Sequence, residues 1–282
     1  MFIHGSSFPT VLAFGFEFAP GDSWMHFMAD RGYLACGLDF LGYGASSRPA
    51  ALMSPPQDSP LIDRAPEAAQ QIALAVEYMR HEKGVARVNI VAHSAGTIPA
   101  AMYASQSQSM VASLTLFGPV VPVPVSPPEK VDFAWFKLSP QARYEQLKFT
   151  HVLPKGKHLL EPAVSAKWAA EFAASAPTAS KTPDGDLRIP SGLLVDVAAA
   201  EAGIYPYAQD KVTCPVLVVH GDYDVVADAA GAAAFLAKFT ASPLQWLLQI
   251  DHGSHVMHLE KNRHSLYASV YAFIQTVDAE KP

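Results

Sequence analysis

Short apolar runs separated by longer helical patterns constrain this chain more than any other feature. The runs lie at residues 2–4, 34–39, 88–92, 111–117, 216–220 and 244–250. Stretches such as VLVV show no polar alternation, which suits strands covered on both faces. Strands joined through helices rather than tight turns run parallel, because such a crossover takes a dozen residues or more. The predicted class is therefore α/β, with a mostly parallel, doubly wound sheet. Between the runs, residues 66–82 place Ile72, Val76 and Met79 on one helical face, with Pro66 suited to the first turn. Residues 228–239 are Ala-rich and helical, and residues 262–276 form a closing helix.

One region breaks the alternation. Residues 119–210 contain no clean strand. The stretch GPVVPVPVSPPEK at its start is too proline-dense for a helix or a central strand, and reads as a rigid connector. Helical stretches follow, among them SPQARYEQLKF and PAVSAKWAAEFAASA. Compact domains rarely carry a structureless loop of that length. The expectation is a helical cap at 119–210, covering the carboxyl edge of a core made of residues 1–118 and 211–282.

Composition narrows the partners. A net charge of −6 with no basic stripe argues against nucleic acid. Two cysteines, Cys36 and Cys214, cannot make a disulfide framework or a zinc site. No run of about 18 apolar residues is present, so no membrane span is expected. The first residues show no basic n-region with an apolar h-region, so the expected location is cytoplasmic. Half of the residues are hydrophobic and only 16% are charged, which suits an apolar pocket and a small-molecule partner.

The strongest chemical signal is VNIVAHSAGTIPAAMYAS. An apolar strand turns at Ala92-His93-Ser94-Ala95-Gly96 and becomes a helix. A nucleophilic serine on so sharp a turn keeps its hydroxyl exposed above the sheet. The residues two before and two after it must be small, because strand and helix nearly touch; here they are Ala92 and Gly96. Ser94 would also stand at a helix N-terminus, where N–H groups favour developing negative charge. The plainer alternative is a serine capping an ordinary strand–helix turn.

At this point the chain resembles the α/β-hydrolase family, of the serine hydrolase or esterase type. The resemblance runs from the His4-Gly5 pair to the final helix, with Ala92 as a departure from the usual Gly. It implies an acid and then a histidine, in that order. In PVLVVHGDYDVV the family's acid position is Asp224, with Asp222 as rival and Asp228 read as a helix cap. In DHGSHVMHLE the pattern of a preceding Gly and a following Leu-Glu fits His255, with His252 and His258 as rivals. No metal or cofactor is implied: three histidines at this spacing lack the H-E-x-x-H arrangement.

The resemblance also assigns MFIHGSSFPT to the third strand of the family's sheet and its oxyanion loop. Backbone N–H groups of Ser6 (or Ser7) and Ala95 would hold the oxyanion, and His4 is a structural marker of the loop. His93, Phe8, Trp135 and Phe136 are candidate substrate contacts. The sequence leaves no room for the family's first two edge strands: either the chain starts late relative to its relatives or the sequence is truncated, and in both cases the strand at 34–39 is expected to be an exposed edge, open to pairing with a second copy in a homodimer. A terminal strand of three or four residues is expected to fray. The implied activity is hydrolysis of a carboxylic ester of a small, largely apolar substrate. Amidase, lactonase, thioesterase and carbon–carbon bond hydrolase share the triad, and a non-catalytic binding protein shares the fold.

Overall fold

The computed structural model describes residues 1–123 and 130–279. In chain order the elements are β1 (Phe2–Ile3), α1 (Thr10–Ala13), α2 (Trp24–Ala29), β2 (Gly37–Leu38), α3 (Ala65–Lys83), β3 (Val88–His93), α4 (Thr97–Gln106) and β4 (Val111–Phe117). Then come β5 (Trp135–Leu138), α5 (Pro140–Leu147), α6 (Pro162–Ala174), β6 (Leu187–Pro190) and α7 (Gly192–Glu201). The chain closes with β7 (Val216–Tyr223), α8 (Ala229–Leu236), β8 (Gln245–Ser254) and α9 (Arg263–Ala279).

Six strands form one parallel sheet in the order β2-β1-β3-β4-β7-β8. Burial follows position in the sheet. All seven residues of β4 are buried, as are the first six of β7, because helices cover both faces there. The edge strand β8 alternates exposed and half-buried residues over 245–250.

The other edge is β2, as expected, but only two residues long. The terminal strand β1 is held on both sides: Phe2 N–H donates to Cys36 O at 2.8 Å, and Val91 N–H donates to Met1 O at 2.9 Å. Phe2 and Ile3 are buried, and Phe2 packs on Phe14 and Trp24. That packing ties the strand down where its length alone argued for fraying.

Helix α3 forms where the sequence placed it. Arg64 N–H donates to Glu67 Oε2 at 3.1 Å, Pro66 sits in the first turn, and Gly84 ends the helix with φ of 65°. Its apolar face buries Ile72, Val76 and Met79 against the core.

The region between β4 and β7 departs from expectation in one respect. It contains two strands, β5 and β6, which pair antiparallel from Trp135 with Pro190 to Leu138 with Leu187. Helices α5 and α6 pack on each other, and α7 packs on α3. Part of the proline-rich connector, residues 124–129, lies outside the described residues. Helix α7 is fastened to the start of α3: Asp196 takes Arg64 Nε and Nη2 on its carboxylate and also accepts Ala65 N–H at 2.7 Å. Gly192 lets the backbones meet, since a Cβ there would stand 2.1 Å from Ile62 O. Helix α6 turns Trp168 onto Phe8, edge to face at 5.4 Å.

Candidate active site

Ser94 stands where β3 turns into α4. Its φ is +54°, a left-handed conformation costly for a residue with a Cβ. The turn is locked by close approach. A Cβ on Gly96 would stand 2.1 Å from His4 O, and one on Gly5 would stand 2.8 Å from the Ser94 Cβ. Ala92, by contrast, is fully buried in register between Ile3 and Leu116, where its methyl is accommodated.

Asp224 follows β7 and is nearly fully buried. Its Oδ1 accepts Val226 N–H at 2.8 Å and Ala227 N–H at 3.2 Å, which orient the carboxylate. The same oxygen accepts from His255 Nδ1 at 3.0 Å. With Nδ1 as donor, Nε2 is the bare nitrogen, and it accepts the Ser94 hydroxyl at 2.8 Å. Gly118, with φ of +52°, packs against this pair; a Cβ there would lie 2.9 Å from both Asp224 Oδ2 and His255 Nδ1.

The rival residues fall elsewhere. Asp222 accepts Gly253 N–H at 3.0 Å, and Asp228 caps α8 through Gly231 N–H at 2.6 Å. His252 has φ of +61° and receives Lys157 Nζ at 3.0 Å. His258 is fully buried with neither ring nitrogen bonded, and burial pushes it down to about 3, so it stays neutral.

On the other side of Ser94, the loop after β1 carries Ser6, Ser7 and Phe8. His4 fixes its start: Nδ1 donates to Gly5 O at 2.6 Å, and Nε2 accepts Phe40 N–H at 3.1 Å. Ser7 has φ of +83°, and its N–H points at Tyr43 Oη, 3.5 Å away. The Ser6 N–H makes no such contact among the described residues. The Ala95 N–H lies beside this loop, 3.5 Å from the position of a Cβ on Gly5.

The expected substrate contacts are placed differently from one another. His93 is buried, stacked on Phe117, and its Nε2–H donates to His255 O at 2.8 Å. It holds the loop of His255. Trp135 donates its Nε1–H to Ser54 O at 2.9 Å and lies against Arg188, and its partly buried neighbour Phe136 packs on the core. Phe8 lies beside Trp168 and under the Arg143 guanidinium. Sequence reasoning missed two groups here, Arg143 and Tyr43. Glu260, the marker after His255, uses its carboxylate to accept both Ser254 N–H (2.9 Å) and Ser254 Oγ–H (2.5 Å).

A cavity of about 230 Å³ lined by Met1, Tyr33, Met79 and Arg87 lies at the amino ends of β1 and β3. Ser94 is at the opposite, carboxyl end, where open α/β sheets bind their ligands. Among the described residues no cluster of His, Cys, Asp or Glu is arranged to hold a metal, and no helix is long and apolar enough to cross a membrane.

The family model of the alpha/beta hydrolase fold matches residues 18–262. The chain belongs to that family. Solved structures of this family superpose over nearly all of it. One is a serine hydrolase involved in carbazole degradation, with TM-score 0.65, 16% identity, and 98% of this chain and 90% of that one covered. A serine hydrolase from the polyaromatic hydrocarbon-degrading bacterium Cycloclasticus zankles gives 0.62 at 17% identity, covering 97% and 88%. An esterase from Thermogutta terrifontis gives 0.56 at 15%, covering 98% and 89%. At such identities the likeness is one of fold. No curated protein sequence matches the chain.

Proposed function

We propose that this α/β-hydrolase is a serine hydrolase that cleaves a carboxylic ester through an acyl-enzyme. The observation that carries the reading is the unbroken chain Ser94 Oγ, His255 Nε2, His255 Nδ1, Asp224 Oδ1, at 2.8 and 3.0 Å. The likeness to two serine hydrolases and an esterase supports it.

In this reading His255 takes the Ser94 proton as Oγ attacks the ester carbonyl. Asp224 keeps the imidazole in the required tautomer and stabilises the imidazolium. The backbone N–H groups of Ser6 and Ala95 hold the oxyanion; one such donor is worth about 3–4 kcal/mol. Ser6 is preferred to Ser7 because the Ser7 N–H already faces Tyr43. His255 then passes the proton to the leaving alkoxide, and water releases the acid by the same route. Residues 119–210 act as the cap over this site, on a core of residues 1–118 and 211–282. The contact of Phe149 with the His255 ring at 6.3 Å, and of Trp168 with Phe8, supports that role.

The test is turnover of a panel of p-nitrophenyl esters beside matched amide, lactone and thioester compounds. The expected result is that esters give the highest kcat/KM, and that Ser94→Ala lowers ester turnover roughly 10⁴- to 10⁶-fold. No turnover of any member, with tight binding of small apolar ligands, would instead make the protein a receptor on this fold.

A further inference from the structure

Residues 140–149 touch two segments next to Ser94. At one end Phe149 meets the His255 ring. At the other, Arg143 places its guanidinium 5.2 Å from the centre of the Phe8 ring, in the loop that carries Ser6 and Ser7. Arg143 Nη1 donates to Gln146 Oε1 at 3.1 Å. Its Nε is sealed from solvent and has no hydrogen-bond partner. Nη2 has none either among the described residues, and no carboxylate pairs with this cation there. Asp63, the carboxylate whose charge reaches the neighbouring Tyr43, is bonded to Gln71 Nε2 at 3.0 Å.

An unpaired cation partly withdrawn from water is costly, and such groups are normally matched by an anion. Arg64 in this same chain shows what the match looks like. Its Nε and Nη2 lie at 3.1 and 2.8 Å from the Asp196 carboxylate. In Arg143 the same two nitrogens are the unbonded ones; Nε is sealed, so Nη2 is the donor that a ligand carboxylate meets. Burial lowers its pKa to about 10, which leaves it charged at neutral pH.

We propose that Arg143 binds a carboxylate on the acyl part of the substrate, so that the preferred substrates are half-esters of dicarboxylic acids. The acyl side follows from the geometry of the proposed hydrolysis, on which this inference rests. The leaving alkoxide must take its proton from His255, whereas Arg143 packs on Phe8 of the loop that carries Ser6 and Ser7. Arg143 is thus a specificity group for the same reaction.

The experiment compares monoethyl esters of C4 to C8 dicarboxylic acids with ethyl esters of monocarboxylic acids of equal length, by pH-stat. The intact chain is used as wild type, Arg143→Gln and Arg143→Lys. For at least one chain length the wild type should favour the half-ester in kcat/KM by roughly 10- to 100-fold. Arg143→Gln should abolish that ratio, and Arg143→Lys should retain part of it. A wild type with no half-ester preference at any length overturns the proposal whatever the variants do, as does a preference that survives in Arg143→Gln. Fluorophosphonate labelling of Ser94 separates the two readings. A labelled enzyme without the preference loses only the Arg143 assignment, whereas absence of labelling removes the hydrolase reading itself.

Discussion

His93 donates its Nε2–H to the main-chain carbonyl of His255 at 2.8 Å, so the residue before Ser94 holds the loop that carries His255. Burial keeps His93 well below the usual histidine range, and it acts as a neutral donor. His93→Phe preserves the ring stack on Phe117 and deletes the N–H. The expected effect is a fall in kcat of roughly 10-fold with KM little changed, since the loss is one of positioning. Steady-state kinetics on one ester checks it; a rise in KM alone would mean that the ring contacts substrate after all.

Gly118 shows how closely the chain is drawn around Asp224 and His255. Its positive φ and the 2.9 Å approach leave no room for a methyl group. Gly118→Ala should lower kcat/KM by about 100-fold or more by displacing His255, at a stability cost of roughly 1–3 kcal/mol. Denaturant melts beside ester turnover separate the two effects.

Glu260 introduces a pH dependence. Burial pushes its carboxyl up to about 7, against the two hydrogen bonds from Ser254. A carboxyl that ionises near 4.5 when unfolded and near 7 when folded binds more protons in the native state across that interval. Stability therefore falls as pH rises from about 4.5 to 7, by up to about 3 kcal/mol from this group. Glu260→Gln should flatten that slope, as read from urea midpoints at pH 5 and pH 7.5.

The three side chains that meet at Ser94 are marked in the sequence because each follows its own apolar run, and local turn chemistry announces it. Small residues at 92 and 96, and Gly221 before Asp224, report constraints acting over a few residues. Strands β5 and β6 are illegible for the opposite reason. WFKL and LRIP are four residues each, carry charges, and become strands only by pairing across a long intervening segment. Arg143 is hidden in the same way. SPQARYEQLKF reads as a solvated helix, and nothing local reveals that one of its charges is packed on Phe8. His93 and Trp135, expected as substrate contacts, each direct one ring N–H to a main-chain carbonyl, at His255 and Ser54.

Asp196 fastens α7 to the start of α3. Its carboxylate serves Arg64 and the Ala65 N–H together while nearly fully buried. Asp196→Ala leaves the Ala65 N–H without its acceptor, and should cost about 1–3 kcal/mol. Arg64 is partly exposed and can recover hydration, so Arg64→Ala should cost less. Thermal melts of the two variants order them.

As the proposed nucleophile, Ser94 should react with a fluorophosphonate, and peptide mass spectrometry locates the adduct. The expected result is a single adduct on the peptide containing Ser94, lost in Ser94→Ala and slowed in His255→Ala. An adduct on any other residue, or one that persists in Ser94→Ala, would contradict it.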